Sequence, residues 1–230
     1  MKLNTNGNVY TIVYATVMVV IVALLLAVVS SALKPKQQAN EELDRKKQVL
    51  SSLNIDIKQV ENVDALYAQV ISEQKINGKQ VFVATLEDGS TKFIIPMTGA
   101  GLWGAIWGYI ALDDDKNTIF GTFFNHDSET PGLGGEIATR GFQTRFNGKH
   151  ISRGDNSFAE AFGLEIVKGE ATEEQVQAIS GATITSKGVE TMINNTLDEY
   201  KDFLSSAVEE SAPTEQAEVE VEPINDEEVQ

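Results

Sequence analysis

Gln80-Val-Phe-Val-Ala-Thr-Leu-Glu-Asp-Gly-Ser-Thr-Lys-Phe-Ile-Ile95 is the stretch on which the fold turns. Residues 80–86 and 91–95 are rich in β-branched and aromatic side chains, and Val81 and Val83 alternate with their neighbours. Asp88-Gly89 stands between the two runs, a pair suited to a tight reversal. Two such runs around such a turn read as a β-hairpin. Two further strand candidates follow at residues 109–112 and 118–125, joined by Asp113-Asp-Asp-Lys-Asn117. The triple Asp reads as a solvated turn rather than a cation site. Strands therefore cluster in the middle of the chain.

Helices flank them. Residues 187–204 place Val189, Met192, Ile193, Leu197, Tyr200 and Leu204 on one helical face. Thr172-Glu-Glu-Gln175 has the form of a capping box and predicts a short helix. Leu43, Leu50 and Leu53 recur at near-helical spacing and predict a helical stalk over residues 34–53. Antiparallel strands between terminal helices make an α+β domain.

The N-terminal end is of another kind. No charge lies between Lys2 and Lys34, and residues 9–29 are apolar apart from Thr11 and Thr16. As a helix this run spans about 31 Å, the thickness of a bilayer core. It exceeds the roughly 7–15 apolar residues of a signal peptide, so it reads as an uncleaved membrane anchor. Lys34, Lys36, Arg45, Lys46 and Lys47 follow it, against Lys2 before it. By the positive-inside rule, that bias places the C-terminal domain in the cytoplasm.

The chain holds 18 basic and 34 acidic residues in 230, a net charge of −16. An acidic chain repels phosphate backbones and does not suit nucleic acid. Residues 207–230 contain nine acids, no base and no aromatic residue. They read as a disordered acidic tail. The division expected is an anchor at 1–33, a stalk or linker at 34–64, a folded domain at 65–206 and the tail at 207–230. There is no Cys, which excludes disulfides, thiolate metal sites and cysteine nucleophiles. With only His126 and His150, a multi-histidine metal site is also unsupported.

Two segments carry chemistry. His126-Asp-Ser-Glu-Thr-Pro-Gly-Leu-Gly-Gly-Glu136 is a loop and lacks the third glycine of a dinucleotide fingerprint. Ser180-Gly-Ala-Thr-Ile-Thr-Ser186 precedes the last helix. It is either a plain capping loop, with Thr185 or Ser186 as N-cap, or an anion site at a helix N-terminus. In the second case a threonine hydroxyl there could be esterified by phosphate.

These residues, together with Gly101-Leu-Trp103 and Gly108-Tyr-Ile-Ala-Leu-Asp113, carry a resemblance. Over about residues 8–204 the chain resembles the C subunit of the bacterial Na+-translocating NADH:quinone oxidoreductase, an FMN-binding domain family. The resemblance implies FMN bound covalently as a phosphoester of Thr183, within the attachment motif Ser180, Gly181, Ala182. It implies that Glu129, Thr130 and Leu133 belong to the loop lying against the flavin. It implies a flavin transferase during maturation, other subunits of a multisubunit complex as partners, and a domain on the periplasmic side of the inner membrane. That last point conflicts with the charge bias. The implied function is electron transfer in a complex coupling NADH oxidation and quinone reduction to sodium export, with no side chain acting as acid or base. The competing readings are the equivalent flavin subunit of a ferredoxin:NAD+ oxidoreductase and a non-redox, membrane-tethered scaffold. Trp103 and Trp107 either offer aromatic surface to the ring or pack in the core. His126 either touches the loop or is a plain loop histidine.

Overall fold

In a computed structural model, residues 8–152, 162–172 and 174–205 are described. The acidic tail lies outside them. Helix α1 (Asn8–Ser52) runs without a break from the apolar segment through the stalk. Pro35 sits inside it and offers no amide hydrogen to the preceding turn, yet the helix continues. Its apolar part is exposed throughout and is long enough to cross a membrane. Its last turns are buried at Val49 and Leu50.

Helix α2 (Val63–Val70) follows, capped by the Asn62 side chain, which accepts from the Ala65 amide at 3.0 Å. It leads into β1 (Ile71–Ile76), β2 (Lys79–Thr85), β3 (Thr91–Ala100), β4 (Ala105–Leu112) and β5 (Ile119–His126). These five strands form one antiparallel meander in sequence order. The expected hairpin is present, with Val83 opposite Phe93. Helix α2 and strand β1 were not expected from the sequence. The β1–β2 turn is Asn77-Gly78, with φ of 52° and 80°, the left-handed pair that tight hairpins require. Strand β3 also runs five residues beyond its expected end, to Ala100.

Val81 and its neighbour Phe82 are both buried, because the sheet is covered on both faces. On one face Phe82, Ala84, Ile94, Tyr109 and Ala111 pack with Val49, Leu50, Leu53 and Tyr67 of the α1–α2 segment. On the other, Val81, Ile95, Met97, Ile110 and Phe124 pack against α4 (Thr183–Glu199) and α5 (Lys201–Ser205). All six residues of the predicted face of the last helix are buried there. A short helix α3 (Arg140–Gln143) and flanking 3-10 turns close one end with Phe142 and Phe146.

The expected helix at Thr172 does not form. Gln175 Oε1 does accept from the Thr172 amide at 3.3 Å, one half of the capping box. The chain then enters a strand, β7 (Gln175–Gln177), parallel to β6 (Glu165–Val167). Val176 is driven into the core, and the Ser180-Gly181 turn leaves no length for a helix.

Candidate cofactor site

Three segments meet at the N-terminus of α4. The first is the β3–β4 turn, Gly101-Leu-Trp-Gly104, closed by the Gly101 amide on the Gly104 carbonyl at 2.8 Å. The second is the loop after β5. There Thr130-Pro-Gly-Leu133 forms a turn in which the Leu133 amide donates to the Thr130 carbonyl at 3.1 Å, with Gly132 at φ 75°. The third is Ile179-Ser-Gly-Ala182, where the Ala182 amide donates to the Ile179 carbonyl at 3.1 Å and Gly181 has φ 77°. A left-handed third residue is what lets glycine reverse the chain in both turns. A Cβ on Gly181 would also come within 2.9 Å of Leu133 Cδ2, so the two turns pack directly together.

Glu129, in the second segment, ties the first to the start of α4. Its Oε1 accepts from the Trp103 amide at 2.8 Å and its Oε2 from the Thr185 hydroxyl at 2.6 Å. The side chain is buried, and the Cα atoms of Gly101 and Gly134 lie so close that a Cβ on either would collide with the carboxylate. Burial alone would raise this carboxyl's pKa. The donors from Thr185, Trp103 and Leu102, with His126 nearby, outweigh it and hold the group below its ordinary value. His126 Nδ1 in turn accepts from the Glu129 amide at 3.2 Å, so the histidine does touch the loop.

Helix α4 begins at Thr183, three to four residues earlier than a cap at Thr185 or Ser186 would have it. Its N-cap position is Ala182, which has no capping side chain. The two expected caps are otherwise engaged: the Thr185 hydroxyl goes to Glu129, and the Ser186 hydroxyl accepts from the Ile179 amide at 3.1 Å. The first turn of α4 is thus left open to an anion.

Thr183 is exposed and lies between two clefts. One, of about 280 Å³, is lined by Leu102, Trp103, Glu129, Thr130, Leu133, Gly134 and residues 181–185. The other, of about 590 Å³, runs along α4 past Gly99, Gly101, Lys187 and Asn195. Of the residues expected at the site, Glu129, Thr130, Leu133, Gly181, Ala182 and Thr183 therefore share one cleft. Ser180 is exposed in the adjoining turn and does not line it. Trp103 lines it and is 67% exposed. Trp107 is elsewhere, its indole donating to Gln48 of α1 at 3.1 Å. Ile184 and Leu102 also line the cleft and were not anticipated from sequence. Among the described residues, the large exposed apolar side chains outside α1 are Leu102, Trp103, Leu133 and Ile184. An apolar rim beside an open helix N-terminus is a fit for a planar ring carrying a phosphate.

Comparison with known proteins agrees with this geometry. Residues 101–198 match the family model described as FMN-binding domain. The crystal structure of the C subunit of the Na(+)-translocating NADH-quinone reductase from Parabacteroides distasonis is 38% identical. The match covers 76% of this chain and 98% of that one, with a TM-score of 0.67. The chain belongs to this C-subunit family. A Shewanella oneidensis NqrC structure, 20% identical, shares the fold with a TM-score of 0.61 over 73% of this chain and all of that one. The Haemophilus ducreyi C subunit is 28% identical over 82% of this chain and 89% of its own length. That of Chlamydia muridarum is 36% identical over 61% of this chain, and the chain spans about half, 48%, of that relative. Within this member of the C-subunit family the match to the FMN-binding domain begins at Gly101 and ends at Asp198, so it takes in all three converging segments.

Proposed function

We propose that the chain is a membrane-anchored electron-transfer subunit that carries FMN as a phosphoester of Thr183. It would serve a multisubunit complex that couples NADH oxidation and quinone reduction to sodium export. The observation that carries this reading is the position of Thr183. The residue is exposed on the uncapped first turn of α4, between two clefts and beside the one apolar rim found outside α1 among the described residues.

The chain's own residues do three things there. The free amides of the first turn and the helix dipole stabilise a phosphate on Thr183. Leu102, Trp103, Leu133 and Ile184 offer apolar cover to the ring. Glu129, held ionised, fixes the relative positions of the walls without a spare role in proton transfer. Bound FMN supplies the redox chemistry, and the protein supplies position and electrostatics. Attachment from FAD would form the Thr183 Oγ–phosphorus bond, break the pyrophosphate and release AMP, with the hydroxyl proton lost. A separate flavin transferase is the partner for that step. Donor and acceptor for the electrons would belong to other subunits of that complex.

The deciding experiment is expression of the full chain with a flavin transferase, followed by peptide mass spectrometry. One FMN on Thr183 is expected, and none in Thr183→Ala; flavin on another residue, or no flavin, refutes the assignment. The proposed topology puts the domain outside the cytoplasm. A reporter joined after Leu204 should then be active only in the periplasm. A cytoplasmic signal would favour the orientation that the lysine and arginine bias predicts.

A further inference from the structure

Thr183 and Lys187 are four residues apart on α4, so their side chains rise from the same side of the helix one turn apart. Both line the larger cleft. Among the described residues lining the two clefts, Lys187 is the one base, in a chain of net charge −16. Its ammonium pairs with Glu190 Oε1. Glu190 is itself buried, and its other oxygen accepts from the Ile166 amide at 2.9 Å. One of the three ammonium donors is thus held by a fixed carboxylate, while 65% of the lysine side chain stays exposed.

We infer that Lys187 is the counter-charge of the phosphate carried on Thr183, and that Glu190 holds it ready before attachment. The inference rests on the reading of Thr183 given above. A phosphodiester keeps one negative charge at neutral pH, and here it would enter the neighbourhood of the ionised Glu129. The helix N-terminus offsets part of that repulsion. A lysine one turn along offsets more, through the donors that Glu190 does not hold. Lys187 is therefore a positioning residue for the cofactor's phosphate arm and has no part in the redox step.

The test compares the full chain in detergent with and without prior flavinylation, for the native sequence, Lys187→Gln and Lys187→Arg. The quantity read is the rise in Tm on attachment. Lys187→Gln should lose about 1–4 °C of that rise, the scale of a partly exposed ion pair in a domain of this size. Lys187→Arg should keep it, and the difference should shrink at high salt. An unchanged rise in Lys187→Gln overturns the inference. So does an equal fall in Tm with and without flavin, which would reduce Lys187 to a helix ion pair with Glu190. Native chain carrying flavin on Thr183 but insensitive to Lys187 overturns this inference alone; native chain with no flavin there overturns the functional reading as well.

Discussion

Both faces of the sheet are buried, but they are closed in different ways. On the stalk face, Val49, Leu50 and Leu53 at the end of α1 lie on Phe82, Ile94 and Ala111. The polar groups at its border are tied to one another. Arg45 reaches Glu73 at 2.8 Å, Tyr67 donates to the same carboxylate at 2.8 Å, and the Arg45 guanidinium lies over the Phe82 ring. On the α4 face the apolar core is equally dense, but at the helix N-terminus it gives way to a buried carboxylate, three turns and two open clefts. The contrast fits the proposed division of work: the stalk face fixes the domain to the apolar helix, and the other face is left open where the proposed cofactor would enter.

The contrast is tested most severely at Leu50, which is fully buried. Leu50→Ala should cost about 2–5 kcal/mol, the range for a truncated core leucine, measured by unfolding of the full chain in detergent. The fraction of folded protein that accepts flavin on Thr183 should not change. A selective loss of flavin would mean that the stalk face shapes the site after all.

Glu129→Gln attacks the opposite face. It should cost about 1–3 kcal/mol, because the amide brings hydrogens to a pocket of donors at Trp103 and Thr185. Flavinylation should fall with it, since two of the cleft walls lose their common anchor. Stability equal to the native chain would show that the carboxylate is dispensable. The smallest effect lies in the pH dependence of the same pair. The native carboxyl titrates below its ordinary value of 4.5, so its stabilising contribution is complete above that value. The contribution declines as pH falls through the lower, folded-state pKa. The stability gap between native chain and Glu129→Gln should therefore be constant near neutrality and narrow in acid. A gap that widens in acid would mean the carboxyl is protonated in the fold.

Much of the fold was legible because it depends on local pattern. The apolar run of residues 9–29, the hairpin around Asp88-Gly89 and the face running from Val189 to Leu204 each follow from a period or a turn that neighbouring residues specify. Strand β1 escaped because Ile71-Ser-Glu-Gln-Lys-Ile76 is polar and mostly exposed, though Asn77-Gly78 marked its turn. Thr172 misled because a capping box is a local preference, overridden once Val176 was buried beside β6.

For the site, the order of residues specifies that hydroxyl side chains precede a helix and that a glycine-rich loop lies about 50 residues upstream. Their meeting is a product of long-range packing. The Glu129–Thr185 hydrogen bond spans 56 residues, and the exposed Trp103 reaches the cleft while Trp107 turns to the stalk. Short-range preferences fix helices, strands and turns through neighbouring atoms. A cleft wall depends on which surfaces are left uncovered after distant segments have packed, and no local pattern records that.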